Sequence, residues 1–157
     1  MKKILLIGGF MLLSPIAAYA NGGATCASPA PLASLSNDAS GDTCGGEAGI
    51  NMGGSVYGHP SRVYSFHVNH AGPGGTPTTI TLTGTSREAS VTSSCTAAPT
   101  AVGAPGLPID VNALADGDWL LVVSTDPSLP VTTPPTCGAY TVTAGVLPVA
   151  LQNFTVE

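Results

Sequence analysis

The stretch Asp116-Gly117-Asp118-Trp119-Leu120-Leu121-Val122-Val123-Ser124-Thr125 decides the fold of this chain. It holds the only tryptophan, and four aliphatic residues in a row follow a turn signal of Asp, Gly and Asp. A short apolar run bounded by turn residues is typical of a strand that is buried on both faces. A second strand is predicted over 139–143, where apolar and polar residues alternate after a Pro-rich loop. We expect these two strands to form the central hairpin of an all-β domain.

Alternation with period two predicts two more strands, over 62–68 and 78–84. The inward positions are Tyr64, Phe66, Val68, Ile80 and Leu82, and the outward positions are Val63, Ser65, His67, Thr79, Thr81 and Thr83. Weaker strands are expected over 50–57, 88–95 and 107–114. Seven or eight strands separated by turn signals indicate a single antiparallel β-sandwich of jelly-roll-like type.

The first twenty residues have the pattern of a cleaved signal peptide. Lys2 and Lys3 form a positive segment, residues 4–13 are apolar, and Ala18-Tyr19-Ala20 is a cleavage signal. The apolar segment is shorter than the about 20 residues that a membrane-spanning helix needs. We therefore expect an exported protein without a membrane span, located in the periplasm, on the cell surface or in the medium. The predicted division is 1–20 for the signal peptide, 21–145 for the sandwich domain and 146–157 for a strand-like tail.

Loss of the signal peptide would remove both lysines. The remaining chain has two arginines, Arg62 and Arg87, against nine carboxylates, which gives a formal charge of −7. Binding to nucleic acid depends on basic residues that neutralise phosphates. The composition therefore excludes a nucleic-acid partner.

Four cysteines remain in the predicted mature chain: Cys26, Cys44, Cys95 and Cys137. An even number in an exported chain predicts two disulfides, and four cysteines allow three connectivities. We expect Cys26–Cys44, which is a local pair, and Cys95–Cys137, which would link strand ends across the domain. Closing a loop of roughly 18 residues contributes about 3 kcal/mol in the chain-entropy description. A zinc site is the alternative, but no Cys-x-x-Cys or His-x-x-x-His spacing supports it.

Four segments follow one another in an order known from a bacterial family: Val63-Tyr64-Ser65-Phe66, 79–82, 115–123 and 138–143. Over roughly 26–145 the chain resembles the pre-peptidase C-terminal domains, which are small β-sandwiches often attached to secreted proteases and other exported enzymes. An acidic residue often precedes the Val-Tyr-Ser-Phe strand in that family, whereas this chain has His59-Pro60-Ser61-Arg62 there. The resemblance implies a β-sandwich with a non-catalytic role. Some members bind calcium, but no ligand set in this chain matches theirs residue by residue.

Two groups of polar residues are candidates for chemistry. His59, His67 and His70 lie within twelve residues, and we expect them to be solvated loop histidines; a surface metal site is the alternative, but no fourth ligand or carboxylate at a fixed spacing supports it. Asp116 and Asp118 offer oxygen ligands for calcium, but a hairpin turn explains the same residues more simply. The sequence has neither a Gly-x-Ser-x-Gly elbow nor a phosphate loop. We therefore expect no enzyme activity and assign no catalytic, cofactor or metal residue.

The segment 146–157 is apolar and strand-like. It fits a last strand of the same sandwich, or a strand donated to the sheet edge of a neighbouring subunit. The expected function is an exported accessory module that binds another protein or a polysaccharide, and the alternative is a structural subunit of a surface assembly. Polysaccharide binding favours exposed aromatic side chains, but four of the aromatic residues are predicted to lie in the core: Tyr57, Tyr64, Tyr140 and Trp119.

Overall fold

A computed structural model describes residues 21–32, 39–70, 77–85, 87–132 and 136–146. The predicted signal peptide and residues 147–157 of the predicted tail lie outside this range. All regular structure in the described residues is β-strand. No helix that could cross a membrane occurs among these residues. The strands are β1 (Ala30–Pro31), β2 (Ala39–Asp42), β3 (Ile50–Met52), β4 (Ser55–Tyr57), β5 (Arg62–Val68), β6 (Pro77–Thr83), β7 (Arg87–Thr92), β8 (Ala101–Gly103), β9 (Pro108–Asp110), β10 (Gly117–Thr125) and β11 (Ala139–Val146).

The strands form two facing sheets and one separate hairpin, which confirms the predicted all-β sandwich. The five-stranded sheet has the order β1-β5-β10-β7-β8, the four-stranded sheet has the order β2-β11-β6-β9, and β3 pairs with β4. Every pairing is antiparallel except that of β1 with β5. From β5 onward most consecutive strands lie in opposite sheets, as in a jelly roll. The count exceeds the predicted seven or eight because several edge strands have only two to four residues, which is too short for a visible alternation.

The predicted central hairpin is wrong. β10 pairs with β5 and β7, whereas β11 pairs with β2 and β6 in the other sheet. The two strands therefore lie in different sheets, and thirteen residues of sequence separate Thr125 from Ala139. A hairpin needs a short loop with turn residues in register, and this longer Pro-rich connection does not impose that pairing.

The strand β10 is buried on both faces from Leu121 onward, as its sequence predicts, whereas the residues before Leu121 are half-buried or exposed. Leu121 and Val123 point into the space between the sheets, and Val122 points to the outer side of the five-stranded sheet. The inner core consists of Tyr64, Phe66, Val68, Ile80, Leu82, Ala89, Val91, Ile109, Val111, Leu114, Leu121, Val123, Tyr140 and Val142. Trp119 is only half-buried at the margin of this core, where its Nε1 donates to the carbonyl of Ala115 at 2.9 Å. Its expected central position is therefore wrong, because it lies near the start of β10, at the end of the sandwich.

A second apolar cluster lies on the outer side of the five-stranded sheet. The hairpin β3–β4 covers this area, and the cluster consists of Ile50, Met52, Tyr57, Val63 and Val122. We call these five residues the outer cluster. The sheet is thus buried on both sides over part of its area only.

Both disulfides are present, but with different partners from those predicted. The bonds are Cys26–Cys95 and Cys44–Cys137, which are 69 and 93 residues apart. The local pair fails because β2 pairs with β11, which brings the residues after β2 beside the start of β11. Loops of this length correspond to about 4 kcal/mol each in the chain-entropy description. Two disulfides are typical of an oxidising, extracytoplasmic environment.

Candidate binding groove

The uncovered part of the outer side of the five-stranded sheet holds a groove of about 770 Å³. This volume lies within the roughly 300–1,000 Å³ that is usual for small-molecule and cofactor sites. The groove is lined by Pro31, Leu32, Ser65, Phe66, His67, Ser93, Ser94, Cys95, Asp118, Trp119 and Leu120. We call it the outer groove.

Strand alternation explains the floor of the outer groove. Ser65 pairs with Leu120 across the β5–β10 ladder, and His67 pairs with Asp118. These positions alternate with the inward-facing residues of the same strands, so their side chains share the outer side of the sheet. Leu120 is half-buried and packs against the outer cluster. The floor therefore changes from apolar at Leu120 to polar at the end of the sandwich.

The two walls of the outer groove come from chain segments that are distant in sequence. One wall follows β1, where the main-chain N–H of Leu32 donates to the carbonyl of Ser65 at 2.8 Å. The other wall is the segment 93–95 after β7, and the bond from Cys95 to Cys26 ties it to the N-terminal segment. The disulfide thus links the wall at 93–95 to the N-terminal segment that leads into the wall after β1, although the two walls are distant in sequence.

Two histidine–aspartate pairs lie at the polar end of the β5–β10 ladder. The Nδ1 of His67 lies 2.8 Å from Oδ1 of Asp118. The main-chain N–H of His70 donates to Oδ1 of Asp116 at 3.1 Å, and the Nδ1 of the same histidine contacts the same oxygen. These hydrogen bonds from the His70 side chain and main chain hold the pKa of Asp116 below its usual value, and the nearby charges of His70 and His67 add to the effect.

The Asp-Gly-Asp sequence lies at the start of β10 and not in a hairpin turn. Both carboxylates accept hydrogen bonds from histidines, which the sequence did not predict. Gly117 between them has a φ of +140°, in the region that favours glycine. The turn interpretation of Asp116 and Asp118 is therefore corrected, because tertiary pairing with β5 placed the segment beside His67 and His70.

The three histidines do not form one site. His59 precedes β5 and His67 lies near the other end of that strand, a distance of roughly 20 Å. His59 is only 1% exposed, and its Nε2 lies 3.3 Å from the carbonyl oxygen of Leu129. The expectation of solvated loop histidines is thus wrong for His59, and the alternative of one surface site that includes all three histidines is wrong as well.

A buried polar network underlies the hairpin instead of the outer groove. The hydroxyl of Tyr57 donates to Oε1 of Glu88 at 3.0 Å and lies 3.0 Å from Oγ of Ser90. Burial raises the pKa of Glu88 and that of Tyr57. The hydrogen bond from Tyr57 partly offsets the effect on Glu88, and the bond with Ser90 partly offsets the effect on Tyr57. Ser61 donates to Oγ of Ser124 at 3.0 Å in the same covered area. This network holds the hairpin on the sheet, and no sequence motif predicted it.

Among the described residues one group of three metal-type ligands lies close together, namely Asp42, Cys44 and Cys137. It is not a metal site, because both sulfurs belong to one disulfide. Three serines line the groove, but no hydrogen bond links a hydroxyl to His67 among the described residues.

Comparisons of the chain with protein-family models, with curated proteins and with solved structures gave no match.

Proposed function

We propose that this protein is an exported, non-catalytic accessory module, and that its outer groove binds an extended segment of a partner protein. This role is the one that the resemblance to pre-peptidase C-terminal domains implies. The observation that carries the proposal is the uncovered part of the five-stranded sheet beside the hairpin. The outer groove has an apolar floor at Leu120, polar groups at one end and a wall fixed by the Cys26–Cys95 bond. These features suit a ligand that makes apolar contacts and hydrogen bonds at the same time.

A protein segment fits the outer groove better than a polysaccharide. Sugar rings pack on exposed aromatic faces, but Tyr57, Tyr64 and Tyr140 are buried. Trp119 lines the groove, yet it packs against the inner core and its indole N–H is already bonded to Ala115. An extended peptide needs apolar contacts and a few polar partners, and Leu120 with the polar groups beside it offers both.

Site-specific photocrosslinking tests the proposal. A photoreactive side chain at Ser65 in the outer groove should form a discrete protein adduct with extracytoplasmic proteins of the source cell. The same group at Val102, which is 55% exposed on the edge strand β8, is the matched control and should form none. Leu120→Asp should abolish the adduct at Ser65 without loss of the β-sheet circular-dichroism spectrum. Equal adducts at both positions, no adduct, or groove-dependent binding to a polysaccharide instead of a protein would refute this proposal.

A structural subunit of a surface assembly is the second candidate function. The last pair of the β6–β11 ladder joins Val146 to Pro77, so β11 is paired up to the last residue that the structure describes. The predicted strand-like tail continues the chain directly from this paired strand end. Size-exclusion chromatography with and without 147–157 tests this candidate. Higher oligomers that disappear on truncation would support it, and a monomer in both cases would refute it.

A further inference from the structure

The two histidine–aspartate pairs share one arrangement, in which each imidazole is held at Nδ1 by a carboxylate. Asp118 is the second residue of β10, and Asp116 directly precedes that strand. His67 contacts Asp118 and His70 contacts Asp116, so both imidazoles lie at the same end of the β5–β10 ladder. The side chain of His67 is 60% exposed and that of His70 is 42% exposed. Both rings are thus accessible from solvent.

A hydrogen bond from Nδ1–H to a carboxylate fixes the proton of a neutral imidazole on Nδ1. The lone pair is then on Nε2, the atom that can ligate a metal ion. Histidines that bind zinc usually donate their other ring N–H to a carboxylate or a carbonyl, which orients the ring and makes it more basic. Each of the two imidazoles already has this outer contact.

We propose that His67 and His70 bind one zinc ion through their Nε2 atoms, with Asp118 and Asp116 as positioning residues. Water or a donor atom of a partner completes the tetrahedron that zinc prefers. With zinc–nitrogen distances of about 2.0–2.1 Å, the two Nε2 atoms must approach to roughly 3.3 Å. Both rings are exposed at the end of the ladder and do not belong to the core, so a change of their side-chain rotamers leaves the core packing intact.

Stability alone is a poor explanation for this arrangement. Exposed ion pairs contribute little to stability, and the side chain of Asp118 is 93% exposed. Two imidazoles at one end of the ladder, held in the same tautomer by two carboxylates, are, in contrast, a ligand pair for a borderline metal ion. The proposal concerns the ladder end and does not depend on what the outer groove binds.

Isothermal titration of the folded protein with zinc chloride tests the proposal. The wild-type protein should bind one zinc ion, and His67→Gln or His70→Gln should each weaken binding at least tenfold. Asp118→Asn and Asp116→Asn should weaken it about three- to tenfold, because the imidazoles lose their anchors. Asp110→Asn is the control, since this exposed carboxylate bonds to Asn112 and not to a histidine, and it should leave binding unchanged.

Nitrogen-15 spectra of the histidine rings provide a second readout. Zinc should shift Nε2 of both residues while Nδ1 keeps its proton. Coordination through Nδ1, equal affinity of the wild-type protein and the His67→Gln/His70→Gln double variant, or a loss of affinity in Asp110→Asn as large as in the histidine variants would overturn the proposal.

Discussion

The covered and the open halves of the five-stranded sheet have similar outward-facing strand sequences but different fates. Val122 and Leu120 lie two residues apart on the outer side of β10. Val122 is 1% exposed under the hairpin β3–β4, whereas Leu120 is half-buried and lines the outer groove. The difference comes from the hairpin, which covers one half only. Burial on this side of the sheet is therefore decided by a short separate element and not by the strand itself.

The two halves also use polar groups differently. Under the hairpin, Tyr57 and Ser90 are buried, Glu88 is half-buried, and the three side chains bond to one another. In the open half, His67 and Asp118 bond to each other but stay exposed. Polar groups in the covered half are partners within the fold, whereas those in the open half are available to a ligand. Four experiments test this contrast.

The largest expected effect comes from a charge placed on each half. Val122→Asp buries a carboxylate without a partner, and we expect it to lower the free energy of unfolding by about 4 kcal/mol or more. Leu120→Asp should cost less than about 1.5 kcal/mol, because its side chain reaches the groove and water. Urea unfolding followed by tryptophan fluorescence measures both. Equal losses would show that the two halves are equally buried.

Removal of the disulfide beside the outer groove should have the next largest effect. Cys26→Ser/Cys95→Ser should lower the free energy of unfolding by about 2–5 kcal/mol, since the bond closes a 69-residue separation. The groove wall at 93–95 should also become more accessible, whereas β11 should not. Hydrogen exchange measures this local effect. An even increase in exchange over the whole sandwich would contradict a specific role in the wall.

A smaller effect is expected from the polar network of the covered half. Tyr57→Phe removes one hydroxyl and leaves Glu88 and Ser90 without that partner, which should cost about 1–3 kcal/mol. Ser65→Ala in the open half is the matched control and should change stability by less than about 0.5 kcal/mol. Thermal unfolding measures the two variants. A neutral Tyr57→Phe would mean that water replaces the hydroxyl, and hence that the hairpin does not seal this half.

The smallest expected effect is pH-dependent. Burial raises the pKa of Glu88 in the folded protein, so ionisation is easier after unfolding, and wild-type stability falls as pH rises through that raised pKa. Glu88→Gln keeps an acceptor for Tyr57 and cannot ionise. It should match the wild type below the usual glutamate pKa and exceed it at pH 7, by less than about 1 kcal/mol because the site is partly exposed. A variant that is less stable than the wild type at pH 7 would reverse this sign.

The sequence by itself determined the features that depend on neighbouring residues. Alternation placed Tyr64, Phe66, Ile80 and Leu82 inward, and the continuous run in β10 predicted burial on both faces. The number of cysteines predicted two disulfides. These predictions hold because side chains of a strand alternate between faces with a fixed period of two, so that each stretch carries its own orientation.

Only the tertiary structure decided which segments meet. The sheet assignment of β11, the bond from Cys44 to Cys137, the contact of His70 with Asp116 and the half-covered outer side all join residues that are distant in sequence. Strand order depends on the free energy of the whole sandwich, because any β-strand can pair with several others at similar local cost. The predicted hairpin and local disulfide failed for this reason. The sequence singled out the histidines and the two aspartates as candidates, but it carried no signal for their pairing or for the outer groove.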